Sequence, residues 1–114
     1  MLDKVVIANR GEIALRVIKS CQALGIATVA VHSDADRNLP FVKAADESRL
    51  LTGGNEALKS YLDMDQLLAI AKETGAAAIH PGYGFLAENT DFCQRVQEAG
   101  FLFIGPEPKA IEIM

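Results

Sequence analysis

Five short apolar runs alternate along the chain with stretches of helical apolar spacing. The runs lie near residues 4–8, 27–32, 48–51, 76–80 and 101–104 and are continuous, as expected of parallel strands covered on both faces. Helical spacing occupies residues 12–24, 63–74 and 89–99, and Pro108 predicts the start of a further helix. Gly25, Gly75 and Gly100 follow the first three helices, each leading directly into strand residues. Glycine relieves the left-handed turn that ends a helix, so the repeated device marks three helix-to-strand junctions.

The pattern reads βαβαβαβαβ, and parallel strands joined by helices close as right-handed crossovers. The predicted class is α/β: a Rossmann-like, doubly wound, mainly parallel five-stranded sheet, order 3-2-1-4-5, with helices on both faces. One short helix fits residues 33–47, around Phe41, Val42, Ala44 and Ala45, and Gly53-Gly54-Asn55 predicts a surface loop over 52–60. The 114 residues suffice for one core, so a single domain spanning 1–114 is expected. Ile111-Glu112-Ile113-Met114 follow Pro108 with no helix stop, which fits a natural protein that continues and equally a frayed terminal helix.

Charge narrows the partners. Eleven basic against 15 acidic residues give a net charge of −4, with no run of like charges, which argues against a nucleic-acid or anionic-membrane surface. Val5-Val6-Ile7-Ala8 is too short for a signal h-region or a membrane span. Cys21 and Cys93 each fall in a helical stretch, outside any C-x-x-C pair, and read as buried free thiols. Together these features suit a cytoplasmic protein.

Ligands of a doubly wound sheet collect beyond the carboxyl ends of the strands, where crossovers diverge to opposite faces. In the predicted order that point lies between the first and fourth strands, whose loops carry Asn9-Arg10-Gly11-Glu12 and His80-Pro81-Gly82-Tyr83-Gly84-Phe85. A dinucleotide site would need G-x-G-x-x-G in the first loop, but only Gly11 is present, so Asp34 at the end of the second strand is a weak ribose ligand. In the second loop Gly82 and Gly84 could turn backbone N–H groups toward an anion while Tyr83 offers a flat face and a hydroxyl; Gly-Tyr-Gly is also an ordinary tight turn. Glu88 precedes a helix start, with Asn89 or Thr90 as its N-cap. His32 and His80 end two strands without a nearby ligand partner, which favours buried, hydrogen-bonded histidines. Asp34 and Asp36 read as a turn cluster, and no metal site is expected. On the first helix Arg16, Lys19 and Ser20 share one face, Ile13, Val17 and Leu24 an apolar one, and Glu12 stands four residues before Arg16.

Three stretches in fixed order resemble the biotin carboxylase family: Val6-Ile7-Ala8-Asn9-Arg10-Gly11-Glu12-Ile13-Ala14, Val31-His32-Ser33-Asp34-Ala35-Asp36, and Ile79-His80-Pro81-Gly82-Tyr83-Gly84-Phe85-Leu86-Ala87-Glu88-Asn89. Phe103-Ile104-Gly105-Pro106 adds a fourth, so the resemblance spans essentially the whole chain. It implies the N-terminal lobe of a ligase that uses ATP, magnesium and bicarbonate to carboxylate N1 of biotin on a carrier protein, with a separate carboxyltransferase choosing the acceptor. Acetyl-CoA, propionyl-CoA, methylcrotonyl-CoA and pyruvate carboxylases are the parents it allows. It further implies that the ATP-grasp domain lies beyond this chain, leaving no catalytic residue and no bound cofactor here. By the same resemblance His80, Gly82, Tyr83, Gly84, Glu88 and Asn89 belong to an active-site loop, with Tyr83 near biotin. The first helix lies near a homodimer surface, with Arg16 best matched to it, Lys19 keeping basic character, and Ala23 standing where relatives can carry an acid. The other classes weighed are a self-sufficient nucleotide-binding module and a purely structural interaction domain.

Overall fold

The computed structural model describes residues 3–51, 64–82 and 90–104. Strands β1 (Lys4–Ile7), β2 (Ala27–His32), β3 (Glu47–Leu50), β4 (Ala78–His80) and β5 (Leu102–Phe103) form one sheet in the order β3-β2-β1-β4-β5. Every pairing is parallel, with Val6 of β1 opposite Val29 on one side and Ile79 on the other. The helices are α1 (Gly11–Ala23), α2 (Pro40–Ala44), α3 (Met64–Thr74) and α4 (Thr90–Glu98). The predicted fold class and strand order are those observed.

Strand order sets the layers. Crossovers from β1 to β2 to β3 run one way and those from β3 to β4 to β5 the other, so right-handedness sends the two sets of helices to opposite faces. Accordingly α1 packs with α2, while Arg95 of α4 reaches Met64 Sδ at 3.2 Å and pairs with Asp65, both on α3. Central strands covered on both sides are mostly apolar, and Val5, Val6, Ile7, Val29, Ala30, Val31 and Ile79 are fully buried. Phe92 of α4 meets Phe103 of β5 edge-to-face, ring centroids 6.0 Å apart, which anchors α4 to β5.

All three predicted helix stops adopt the left-handed conformation, at φ 76° for Gly25, 72° for Gly75 and 92° for Gly100. The N–H that follows each glycine returns to a carbonyl five residues back: Ile26 to Cys21, Ala76 to Ala71 and Phe101 to Val96, at 2.9–3.1 Å.

Two expectations shift. The third strand is Glu47–Leu50 rather than 48–51, and its residues alternate between half-buried and exposed, because an edge strand has one neighbour and does not need a continuous apolar run. On α1 the residues in the core are Ala14, Ile18 and Cys21, one position on from the expected Ile13 and Val17 stripe, and Leu24 is 78% exposed. Ile13, Val17 and Leu24 instead line a groove of ≈ 480 Å³ beside Arg16 and Ser20. Glu12 and Arg16 are both exposed, and no ion pair joins them. The loop predicted over 52–60 and the helix predicted from Pro108 lie outside the described residues.

Candidate functional site

The predicted switch point is present. β1 and β4 are neighbours, with Ile7 opposite His80, and Ala8 N–H closes the ladder on His80 O at 2.8 Å. Beyond that bond the two chains leave the sheet, and their first residues form a compact polar cluster.

Asn9 is fully buried in the cluster. Its Nδ2 donates to Pro81 O at 2.8 Å, and its Oδ1 accepts the Arg10 N–H at 2.8 Å. Arg10 turns its guanidinium to the loop after β2, where Nε and Nη2 donate to the two carboxylate oxygens of Asp36 at 2.6 and 2.8 Å. The Asp36 side chain is only 4% exposed, so the pair is largely desolvated on its acidic side. Asp36 is held there by successive turns, with its N–H on Ser33 O and the Leu39 N–H on Asp36 O. The turn reading of Asp36 is therefore met, whereas its ion pair with Arg10 spans 26 residues and no local spacing reveals it. Asp34 faces solvent at 81% and pairs with Arg37.

His80 is half-buried at the end of β4, and its Nδ1 accepts the Gly82 N–H at 3.0 Å. Accepting at Nδ1 leaves the proton of the neutral ring on Nε2, and burial pushes the imidazole below the usual histidine value. His32 is buried and its Nδ1 donates to Ser33 O at 2.9 Å, as a core histidine should. Gly82 has φ +67°, and a Cβ there would stand 2.7 Å from Asn9 Nδ2 and 3.0 Å from Ile13 Cγ2, so glycine is required twice over.

The first loop thus comes together with His80 and Gly82. Gly11 and Glu12 open α1 beside Arg10, with Glu12 exposed in the first turn. Tyr83, Gly84, Glu88 and Asn89 lie outside the described residues. Arg16 and Lys19 are exposed on α1, with Arg16 on the groove wall. Cys21 and Cys93 are buried thiols not joined in a disulfide, and burial raises the Cys21 thiol. Among the described residues no group of three His, Cys, Asp or Glu side chains could hold a metal ion, so the magnesium implied above finds no ligand set in them. No helix among them is long and apolar enough to cross a membrane.

Comparison with known proteins agrees with the geometry. The sequence model described as "Biotin carboxylase, N-terminal domain" matches residues 1–111. The biotin carboxylase of Allochromatium vinosum is 55% identical over all 114 residues, which cover 25% of that protein. The mitochondrial propionyl-CoA carboxylase alpha chain of Caenorhabditis briggsae is 57% identical over 109 residues, 96% of this chain and 15% of that one. Among solved structures, the biotin carboxylase domain dimer of Hydrogenobacter thermophilus 2-oxoglutarate carboxylase, in complex with MgADP, ADP and bicarbonate, superposes with a TM-score of 0.92 at 49% identity. It is covered to 25% by the whole of this chain. Rhizobium etli pyruvate carboxylase superposes at 0.91 with 38% identity over 97% of this chain and 12% of its own. The chain thus spans a quarter or less of the relatives it matches, and over nearly all of its length it belongs to the biotin carboxylase N-terminal domain family.

Proposed function

We propose that this chain is the N-terminal lobe, residues 1–114, of an ATP-dependent biotin carboxylase, which carboxylates N1 of carrier-bound biotin with bicarbonate. The family match carries the proposal. In the complete enzyme ATP and magnesium supply the activation of bicarbonate, and their ligands belong to an ATP-grasp domain outside this chain. A biotin carboxyl carrier protein and a carboxyltransferase are the partners, and a homodimer is the assembly. The acceptor is an acyl-CoA or a keto acid, selected by the transferase. Cys21 and Cys93, thiols not joined in a disulfide, support a reducing compartment, the cytoplasm.

Within this lobe the segment from His80 to Asn89 forms one wall of the active site, with Tyr83 against biotin. It issues from β4 beside β1, at the carboxyl ends where this class of sheet collects ligands. A phenol there can cover the apolar part of biotin and donate to its ureido oxygen. The lobe's own residues orient: Asn9, His80 and Gly82 fix the wall's first residues, and Arg10 with Asp36 fixes the neighbouring loop.

In a carboxylase carrying this domain, Tyr83→Phe should raise KM for free biotin by about two- to tenfold, the effect of one neutral hydrogen bond, and leave KM for ATP unchanged. The 114-residue chain alone should show no bicarbonate-dependent ATP hydrolysis. Biotin kinetics untouched by both Tyr83→Phe and Tyr83→Ala would reduce the segment to a structural turn.

A further inference from the structure

The β1–β4 ladder ends one residue too early to hold Pro81. Ala8 N–H takes His80 O as the last backbone bond between the strands. Pro81 has no N–H to offer, and it is buried, so its carbonyl needs a donor that the ladder does not supply. The Asn9 side chain supplies it, at 2.8 Å from Nδ2 to Pro81 O. The amide therefore adds one rung to the ladder, built from a side chain.

That rung fixes a direction as well as a bond. The amide that holds Pro81 O also fills the space where a side chain at residue 82 would lie, 2.7 Å from the Cβ position, while Ile13 bounds it at 3.0 Å. The Gly82 N–H is held from the other side by His80 Nδ1. Asn9 itself has little freedom, because its Oδ1 is engaged by the Arg10 N–H and the Arg10 guanidinium is tied to Asp36. Three consecutive residues leaving β4 are thus referenced to the end of β1.

From this we infer that Asn9 is a positioning residue for biotin: through Pro81 O it holds the chain at Pro81 and Gly82, from which the proposed wall continues. The inference rests on the proposed role of that wall. Asn9 does not touch substrate, so its effect falls on biotin affinity and leaves the handling of ATP alone.

Asn9→Asp is the decisive variant. It keeps an oxygen for the Arg10 N–H, and a carboxylate near the N-terminus of α1 is favoured by the helix dipole, so the fold should be retained. It replaces the donor to Pro81 O with a second acceptor. In a carboxylase carrying this domain the expected result is a rise of about three- to tenfold in KM for free biotin with KM for ATP unchanged, while the unfolding midpoint falls because a buried carboxylate now faces the Pro81 carbonyl. Amide hydrogen exchange should quicken most at Gly82, whose N–H is held by His80 Nδ1. Asn9→Ala, Gly82→Ala and their combination give a second route: the alanine methyl at 82 should be better tolerated once the amide is gone, so the double variant should lose less than the two single losses added.

Unchanged biotin kinetics and unchanged exchange in Asn9→Asp, alongside a Tyr83→Phe variant that does impair biotin, would overturn the inference. So would an equal rise in both Michaelis constants, the mark of a general structural role. Silent Tyr83 variants with quickened exchange in Asn9→Asp would instead sink the functional reading of the wall and retain Asn9 as what orients it.

Discussion

Arg10 and Asp36 meet in a two-pronged ion pair, Nε and Nη2 on the two carboxylate oxygens at 2.6 and 2.8 Å, across the carboxyl ends of β1 and β2. The Asp36 side chain is 4% exposed against 37% for Arg10, so removing the arginine strands the more costly partner. Arg10→Ala should lower stability by about 2–3 kcal/mol, and Arg10→Lys by roughly half of that, since an ammonium cannot match both oxygens. Urea denaturation at pH 7 checks this; a midpoint moved by less than about 0.5 kcal/mol at constant slope would mean that the pair is solvated in solution.

His80 predicts a pH dependence. Burial lowers its folded-state value below the ordinary 6.5, so between the two values the unfolded chain binds the extra proton. Stability contributed by the neutral ring is complete above pH 6.5 and is lost as pH falls toward the folded value. His80→Asn places an amide oxygen where Nδ1 accepts the Gly82 N–H, so thermal unfolding from pH 8 to pH 5 should fall less steeply in the variant. Parallel curves would assign the slope to other groups.

Asp46 ties the start of β3 to β2. Its Oδ2 accepts both the Thr28 N–H at 2.8 Å and the Thr28 hydroxyl at 3.0 Å, and the backbone bond is the main cause that pulls its carboxyl below the usual range. Thr28→Val removes only the hydroxyl and should cost about 1 kcal/mol. Asp46→Ala strips both donors and should cost more. For a depressed carboxyl the contribution is present above pH 3.8 and disappears as pH falls through the folded value, so the Asp46→Ala penalty should shrink below pH 4. A penalty equal at pH 3 and pH 7 would contradict this.

Arg16 stands exposed on α1 at the edge of an apolar groove. If the proposed homodimer uses this face, Arg16→Glu in a carboxylase carrying the domain should weaken association by at least about tenfold, as for a central arginine at an interface. Sedimentation measures it. An unaltered association constant would leave Arg16 on a solvated face.

The fold was legible because its signals are local. Continuous apolar runs and glycine stops are written within ten or so residues of each junction and point to the class; the strand order follows from the doubly wound class and not from any local signal. β3 was misplaced by one residue because Leu50-Leu51 looks like a buried strand, whereas the edge tolerates Glu47, Ser48 and Arg49 and leaves Leu50 42% exposed. The α1 core face differs similarly: Ile13 and Val17 draw the apolar stripe by their hydrophobicity, whereas Ala14, Ile18 and Cys21 are the buried positions and Val17 packs on the core only in part. In the site, Asn9, Arg10, His80 and Gly82 could be placed from topology alone. Their bonds could not, since Asn9 to Pro81 and Arg10 to Asp36 join residues 72 and 26 apart in sequence.

The order β3-β2-β1-β4-β5 also constrains how the chain reaches its native state. The first strand made is the middle one, and only one of its neighbours follows soon after; the other, Ala78–His80, arrives some seventy residues later. Closing so long a loop must precede any gain from that pairing, so completion of the sheet should be the slow phase of refolding. During synthesis β1 waits with one flank unpaired, apolar from Val5 to Ile7, until β4 has emerged, and for that interval the nascent chain offers an adhesive strand to chaperones or to its neighbours.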